Sequence, residues 1–153
     1  MGGGLGAGRR ALTYLLDTNV FSELRKRSPD RNVAAWFEAR HGEELFTSVL
    51  VLGELRKGAE LLGQRDSRRA EALSAWLDAF RRDFGERILA VSAEVADEWG
   101  RLNARRPLLA VDGLLGATAV VHGLTLVTRD AAGLREAGVG LLDPWRAGAR
   151  RRR

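Results

Sequence analysis

Four acidic residues stand where they could do chemistry: Asp17 in LLDTNVFSEL, Glu54 in VLVLGELRKGAELLG, Asp112 in VDGLLGATAVVHG and Asp130 in LTLVTRD. Asp17 and Asp130 each follow a short apolar run, and Asp112 opens a strongly apolar segment. Glu54 lies inside a helical pattern, six residues past Ser48, and follows the apolar run Val49 to Leu52. Carboxylates gathered in one place repel one another and shift their pKa values unless a cation balances them. The chain has no cysteine, and His41 and His122 are its only histidines. A shared ligand set would therefore be all oxygen, which favours a hard ion such as Mg²⁺ or Mn²⁺. One or two such ions can activate a water and stabilise the leaving oxygen of a phosphodiester. The chemistry indicated is hydrolysis or phosphoryl transfer, and the spacing alone does not choose between nuclease and phosphatase.

Each acid also has a plain structural reading. Asp17 or Asn19 suits a helix N-cap, as does Asp112, and Asp130 suits a turn. Glu54 resists such a reading, because its apolar neighbours imply burial and an unpaired buried carboxylate is expensive. Arg56 and Lys57 point elsewhere on the same helix and are poor partners for it. Gly53 and Gly58 leave its surroundings sterically open.

The elements that must position these acids follow from periodicity. ALTYLL reads as a buried strand, and NVFSELRKR and DRNVAAWFEARHG read as helices, the second starting at Pro29 and Asp30. ELFTS reads as a strand leading into a helix that ends near Gly63. In SRRAEALSAWLDAFRRDF, residues Ala72, Leu73, Trp76, Leu77 and Phe80 recur at spacings of three and four, which predicts a helix. ILAVS is a short strand and SAEVADEWGRLNARR a helix. VDGLLGATAVVHG predicts a helix apolar on nearly every side and hence buried. LTLVTRD and GVGLLDPW supply the last strands. This alternation predicts a three-layer α/β domain with a mostly parallel central sheet flanked by helices. In such a sheet, ligands bind outside the carboxyl ends of the strands, where Asp17 and Asp130 fall.

At 153 residues the chain suits one domain with one substantial core. We read residues 1–10 as a disordered Gly/Arg-rich extension, 11–146 as the domain and 147–153 as a basic tail. The net charge of +5 invites a nucleic-acid reading, but Arg9, Arg10, Arg146 and Arg150 to Arg153 supply seven of the 25 basic residues. Residues 11–145 then carry 18 basic against 20 acidic side chains, a net of −2. A basic tail could add weak, salt-sensitive attraction to RNA. No apolar run approaches the roughly 20 residues of a membrane span, and the opening MGGGLGAGRR lacks the apolar region of a signal peptide. The expectation is a cytoplasmic protein.

At these residues the chain resembles the PIN-domain ribonucleases, specifically the VapC toxins of bacterial toxin–antitoxin pairs, in the subgroup that includes FitB-like proteins. The likeness spans about Leu12 to Trp145. It is carried in order by LLDTNVFSEL, TSVLVLGELRKGAELL, RILAVSAEVADEWGRL, VDGLLGATAVVHGLTLVTRD and LLDPW. The resemblance implies that Asp17, Glu54, Asp112 and Asp130 form an acidic quartet binding Mg²⁺ or Mn²⁺. Asp17 and Asp112 would be the principal direct ligands. Thr18, Asn19 and Thr128 match polar positions that line the family's pocket. Many relatives have Asn where Asp130 stands and an Asp-Phe pair a few residues later; here Gly133 and Leu134 take that place. The resemblance further implies a metal-dependent endoribonuclease acting on transfer or ribosomal RNA, and a homodimer. It also implies a VapB antitoxin that blocks the site and carries the contact to operator DNA. Arg129 is a candidate contact to the RNA backbone.

Other classes fit less well. A haloacid-dehalogenase-type phosphatase needs a second Asp two residues after the first, where this chain has Asn19. A receiver domain needs a Lys after its last strand, and Lys occurs only at positions 26 and 57. A catalytically silent PIN-like interaction module is the remaining alternative.

Overall fold

A computed structural model describes residues 12–129 and 133–148 of the chain. Asp130, the extension 1–10 and residues 149–153 of the tail lie outside the described residues. Five short strands form the sheet: β1 (Tyr14–Leu16), β2 (Leu45–Ser48), β3 (Ile88–Leu89), β4 (Thr125–Val127) and β5 (Leu141–Leu142). Their order is β3-β2-β1-β4-β5, and every pairing is parallel. Parallel strands need crossovers, and among the described residues six helices supply those from β1 through to β4: α1 (Thr18–Leu24), α2 (Arg31–Glu38), α3 (Val49–Gly63), α4 (Ser67–Phe84), α5 (Ala93–Arg105) and α6 (Ala110–His122).

This order locates the site before any side chain is considered. From β1 the chain proceeds outward through β2 to β3, then returns to the other side of β1 for β4 and β5. The neighbours β1 and β4 therefore flank the point where the winding reverses, and a crevice opens there at the strands' carboxyl ends. Asp17 follows β1 at this point, and its amide donates to Val127 O of β4 at 3.1 Å.

The strands are buried because helices cover both faces. Leu15, Leu16, Leu126 and Val127 are essentially inaccessible, as are Val20, Val51 and Leu77 from the helices. Burying each such side chain contributes about 1.5–3 kcal/mol. Phe21 of α1 meets Phe80 of α4 edge-on at 4.9 Å and Phe84 at 5.6 Å. The α1–α4 contact is thus aromatic, and it fixes the helix that carries Thr18.

The apolar α6 is buried over Gly113 and Leu115 to Ala119, as its composition predicts, but Val120 and Val121 at its end are 42% and 38% exposed. Its glycines allow close packing: a Cβ on Gly116 would stand 2.8 Å from Leu134 Cδ2 and 3.3 Å from Val139 Cγ2. Gly123 ends the helix at φ +66, a conformation that favours glycine. Among the described residues no helix is long and apolar enough to cross a membrane.

Candidate active site

Asp17 is both a helix cap and a pocket carboxylate. At φ −79 and ψ 161 it is the N-cap of α1, and its Oδ1 accepts from the Thr18 amide at 2.6 Å. Its other oxygen, Oδ2, accepts from the Thr128 hydroxyl at 2.8 Å. Both oxygens are therefore oriented by groups that the β1–β4 junction supplies. Burial pushes the Asp17 pKa above the ordinary carboxylate value, while the Thr128 and Thr18 hydrogen bonds pull it down. The charges of Glu54 and Asp112 add to the upward push, so two of the other sequence-predicted acids act on Asp17 through space.

Glu54 corrects one expectation. It is exposed, not buried, because α3 turns Val51, Leu55 and Ala59 to the core and Glu54 to the crevice. Its partner is the Thr18 hydroxyl, which donates to Glu54 Oε1 at 2.6 Å. Thr18 thus joins the two acids, its amide on Asp17 and its hydroxyl on Glu54. A Cβ added at Gly53 or Gly58 would meet no other atom within 4 Å, so those positions leave the surface open as expected.

Asp112 corrects another. The helix α6 starts at Ala110, with Leu109 as its N-cap and no side-chain cap, so Asp112 is not the cap. It sits half-buried in the first turn, where the helix's unpaired amides and positive end favour a carboxylate.

Of the polar positions, Thr128 is buried on Asp17 and Thr18 faces Glu54. Asn19 is exposed on α1 and makes no side-chain hydrogen bond among the described residues. Arg129 lays its guanidinium over the Trp145 ring at 5.2 Å, packing against the chain's own aromatic residue. Sequence reasoning did not single out Thr47, whose buried hydroxyl donates to Leu16 O at 3.1 Å and fixes the carbonyl just before Asp17. Its signal was a polar residue, beside Ser48, within a short strand that the pattern buries.

Among the described residues no three His, Cys, Asp or Glu side chains form a ready-made metal-binding group. The donors fit a hard ion in type, being oxygens of Asp17 and of the two acids, Glu54 and Asp112, whose charges reach it. Mg²⁺ keeps several waters and is commonly held by only one or two carboxylates together with substrate phosphates. The residues present are compatible with that mode.

A PIN-domain family model matches residues 14–139. The chain is 33% identical to the VapC ribonuclease Y4jK of Sinorhizobium fredii, covering 86% of this chain and 96% of that one. It is 33% identical to the toxin FitB of Neisseria gonorrhoeae, covering 86% and 97%. Its fold matches a chain of FitAcB from Neisseria gonorrhoeae with a TM-score of 0.82 at 32% identity, over 87% and 99% of the two chains. It also matches a chain of FitAB bound to an IR36 DNA fragment, with a TM-score of 0.81 at 29% identity, over 88% and 96%.

Proposed function

The chain belongs to the PIN-domain family, in the branch of the VapC and FitB toxins, and we propose that it is a Mg²⁺- or Mn²⁺-dependent endoribonuclease, the toxin of a toxin–antitoxin pair. The observation that carries this reading is the Asp17 carboxylate, held by Thr128 and the Thr18 amide in the field of Glu54 and Asp112. Asp17 and Asp112 would hold the ion directly, with Glu54 and Asp130 completing the set. An ion held there would supply an activated water and neutralise charge at the scissile phosphate. The chain's own residues do the positioning. Thr128 and the Thr18 amide fix the plane of the Asp17 carboxylate, and the Thr18 hydroxyl orients Glu54 beside it. Thr47 anchors the strand end that carries Asp17. Pre-set ligands of this kind are not reorganised at the moment of reaction.

The substrate is an RNA phosphodiester, in transfer or ribosomal RNA. The partner is a VapB-type antitoxin, through which the complex contacts operator DNA; the solved FitAB–DNA complex supports that arrangement. The active form is a homodimer in the cytoplasm.

The test incubates the purified chain with single-stranded RNA and, separately, with a phosphomonoester, in Mg²⁺, Mn²⁺ or EDTA. Internal cleavage of the RNA that requires the metal supports the reading. Release of phosphate from the monoester alone would replace it with a phosphatase. Turnover of neither substrate in any metal would leave a silent interaction module.

A further inference from the structure

Beside the acidic site an open groove of about 370 Å³ runs between α1, α3 and α4. Thr18 and Glu54 bring it to the acids, Leu55 and Leu62 belong to its apolar lining, and Arg25 and Arg65 are its two cations. From Thr18 to Arg25 is seven residues, or roughly 10 Å of chain at 1.5 Å per helical residue.

The arginines here make no ion pair with a carboxylate among the described residues. Among the described residues the ion pairs engage Lys26, Arg56, Arg101, Arg106 and Arg146, and none involves Arg25, Arg65 or Arg69. Asp66, the nearest acid in sequence, caps α4 by accepting from the Arg69 amide. Arg25 is held in place, its guanidinium 5.0 Å over the Trp76 ring. Partial burial lowers its pKa, and the charge of Arg69 adds a smaller push in the same direction. A pre-positioned Arg25 guanidinium, with the exposed Arg65 lining the same groove, suits an anion, and the guanidinium fork matches a phosphate.

Building on the nuclease reading above, we propose that Arg25 and Arg65 form a phosphate subsite that grips the RNA strand a few nucleotides from the bond cleaved at Asp17. A strand lying in the groove sets one phosphate at the acids and a later one at the arginines. The apolar lining at Leu55 and Leu62 then faces its sugars and bases. Continuity between groove and site favours a polymer with repeated phosphates over an isolated anion.

The experiment measures binding of a labelled single-stranded RNA to the full chain carrying Asp17→Asn, by fluorescence anisotropy, across a salt series. Adding Arg25→Gln with Arg65→Gln should weaken binding about tenfold per arginine, the effect of losing one charge-assisted hydrogen bond. The slope of log Kd against log salt should become shallower by about 1.4, at about 0.7 per single-strand phosphate. Arg25→Lys with Arg65→Lys should keep most of the affinity. Should the loss of the Trp76 contact disturb folding, Arg65→Gln alone carries half of the effect. Unchanged affinity and slope overturn the subsite. So does unchanged RNA binding with lost binding of a hexaglutamate peptide, which would assign the groove to an acidic protein segment. A chain that binds RNA through these arginines but never cleaves it keeps the subsite and refutes the nuclease. One that cleaves RNA with unchanged KM after loss of both arginines does the reverse.

Discussion

The hydroxyl of Thr18 donates to Glu54 Oε1 at 2.6 Å, linking the first turn of α1 to the second turn of α3 across 36 positions of sequence. Because the Thr18 amide also serves Asp17, one residue sets the relation between two acids. Thr18→Val keeps the size and removes the donor. We expect kcat for RNA cleavage to fall about 10- to 100-fold, as for other partners that orient ligands, with KM little changed. Thr18→Ser should restore most of the rate. Steady-state kinetics on a defined RNA substrate measures both.

The Asp17 carboxylate is held at a cost that shows in pH dependence. Its folded pKa is raised above the unfolded value of 3.8, so in the window above 3.8 the folded state binds more protons than the unfolded state. Stability of the metal-free protein therefore falls as pH rises through that window. Asp17→Asn removes the charge and leaves a side chain able to accept from Thr128. This variant should gain about 0.5–2 kcal/mol at neutral pH without metal, and its gain should shrink as the pH falls toward 3.8 and be absent below it. Urea denaturation at a series of pH values in EDTA tests this; equal stability of both proteins at neutral pH contradicts it.

The close face of α6 makes a separate prediction. A Cβ at Gly116 would strike Leu134 Cδ2 at 2.8 Å and Val139 Cγ2 at 3.3 Å, and both side chains are buried. Gly116→Val adds branches to that clash and should destabilise the fold by roughly 1–3 kcal/mol. Thermal unfolding should show the loss, and an unchanged Tm would mean that the Leu134 segment moves away freely.

Much of this was legible in the sequence, for identifiable reasons. LTYLL and LTLVT are apolar runs too short for helices, so their ends, and the acids just after them, could be located from the α/β pattern. Periodicity identified α4 through Leu73, Leu77 and Phe80, all buried. Glu54 was misread as buried because a preceding apolar run says nothing of helical phase. The stripe Val51–Leu55–Ala59 turns inward and leaves Glu54 outside. Asp112 was read as a possible cap because α6 starts two residues earlier at Ala110, with no capping side chain to signal it. The Thr18–Glu54 hydrogen bond and the arginine-lined groove depend on how α1 meets α3. No local pattern encodes that meeting.

The central claim is that Asp17 anchors a metal-dependent site for RNA cleavage. Its most direct test compares cleavage of single-stranded RNA by the wild type and Asp17→Asn at saturating Mg²⁺ or Mn²⁺, with both proteins shown to be folded. The account predicts a loss of at least about 100-fold in the variant, the scale for removing one pre-set charge from an active site. Equal cleavage by the two proteins would contradict it.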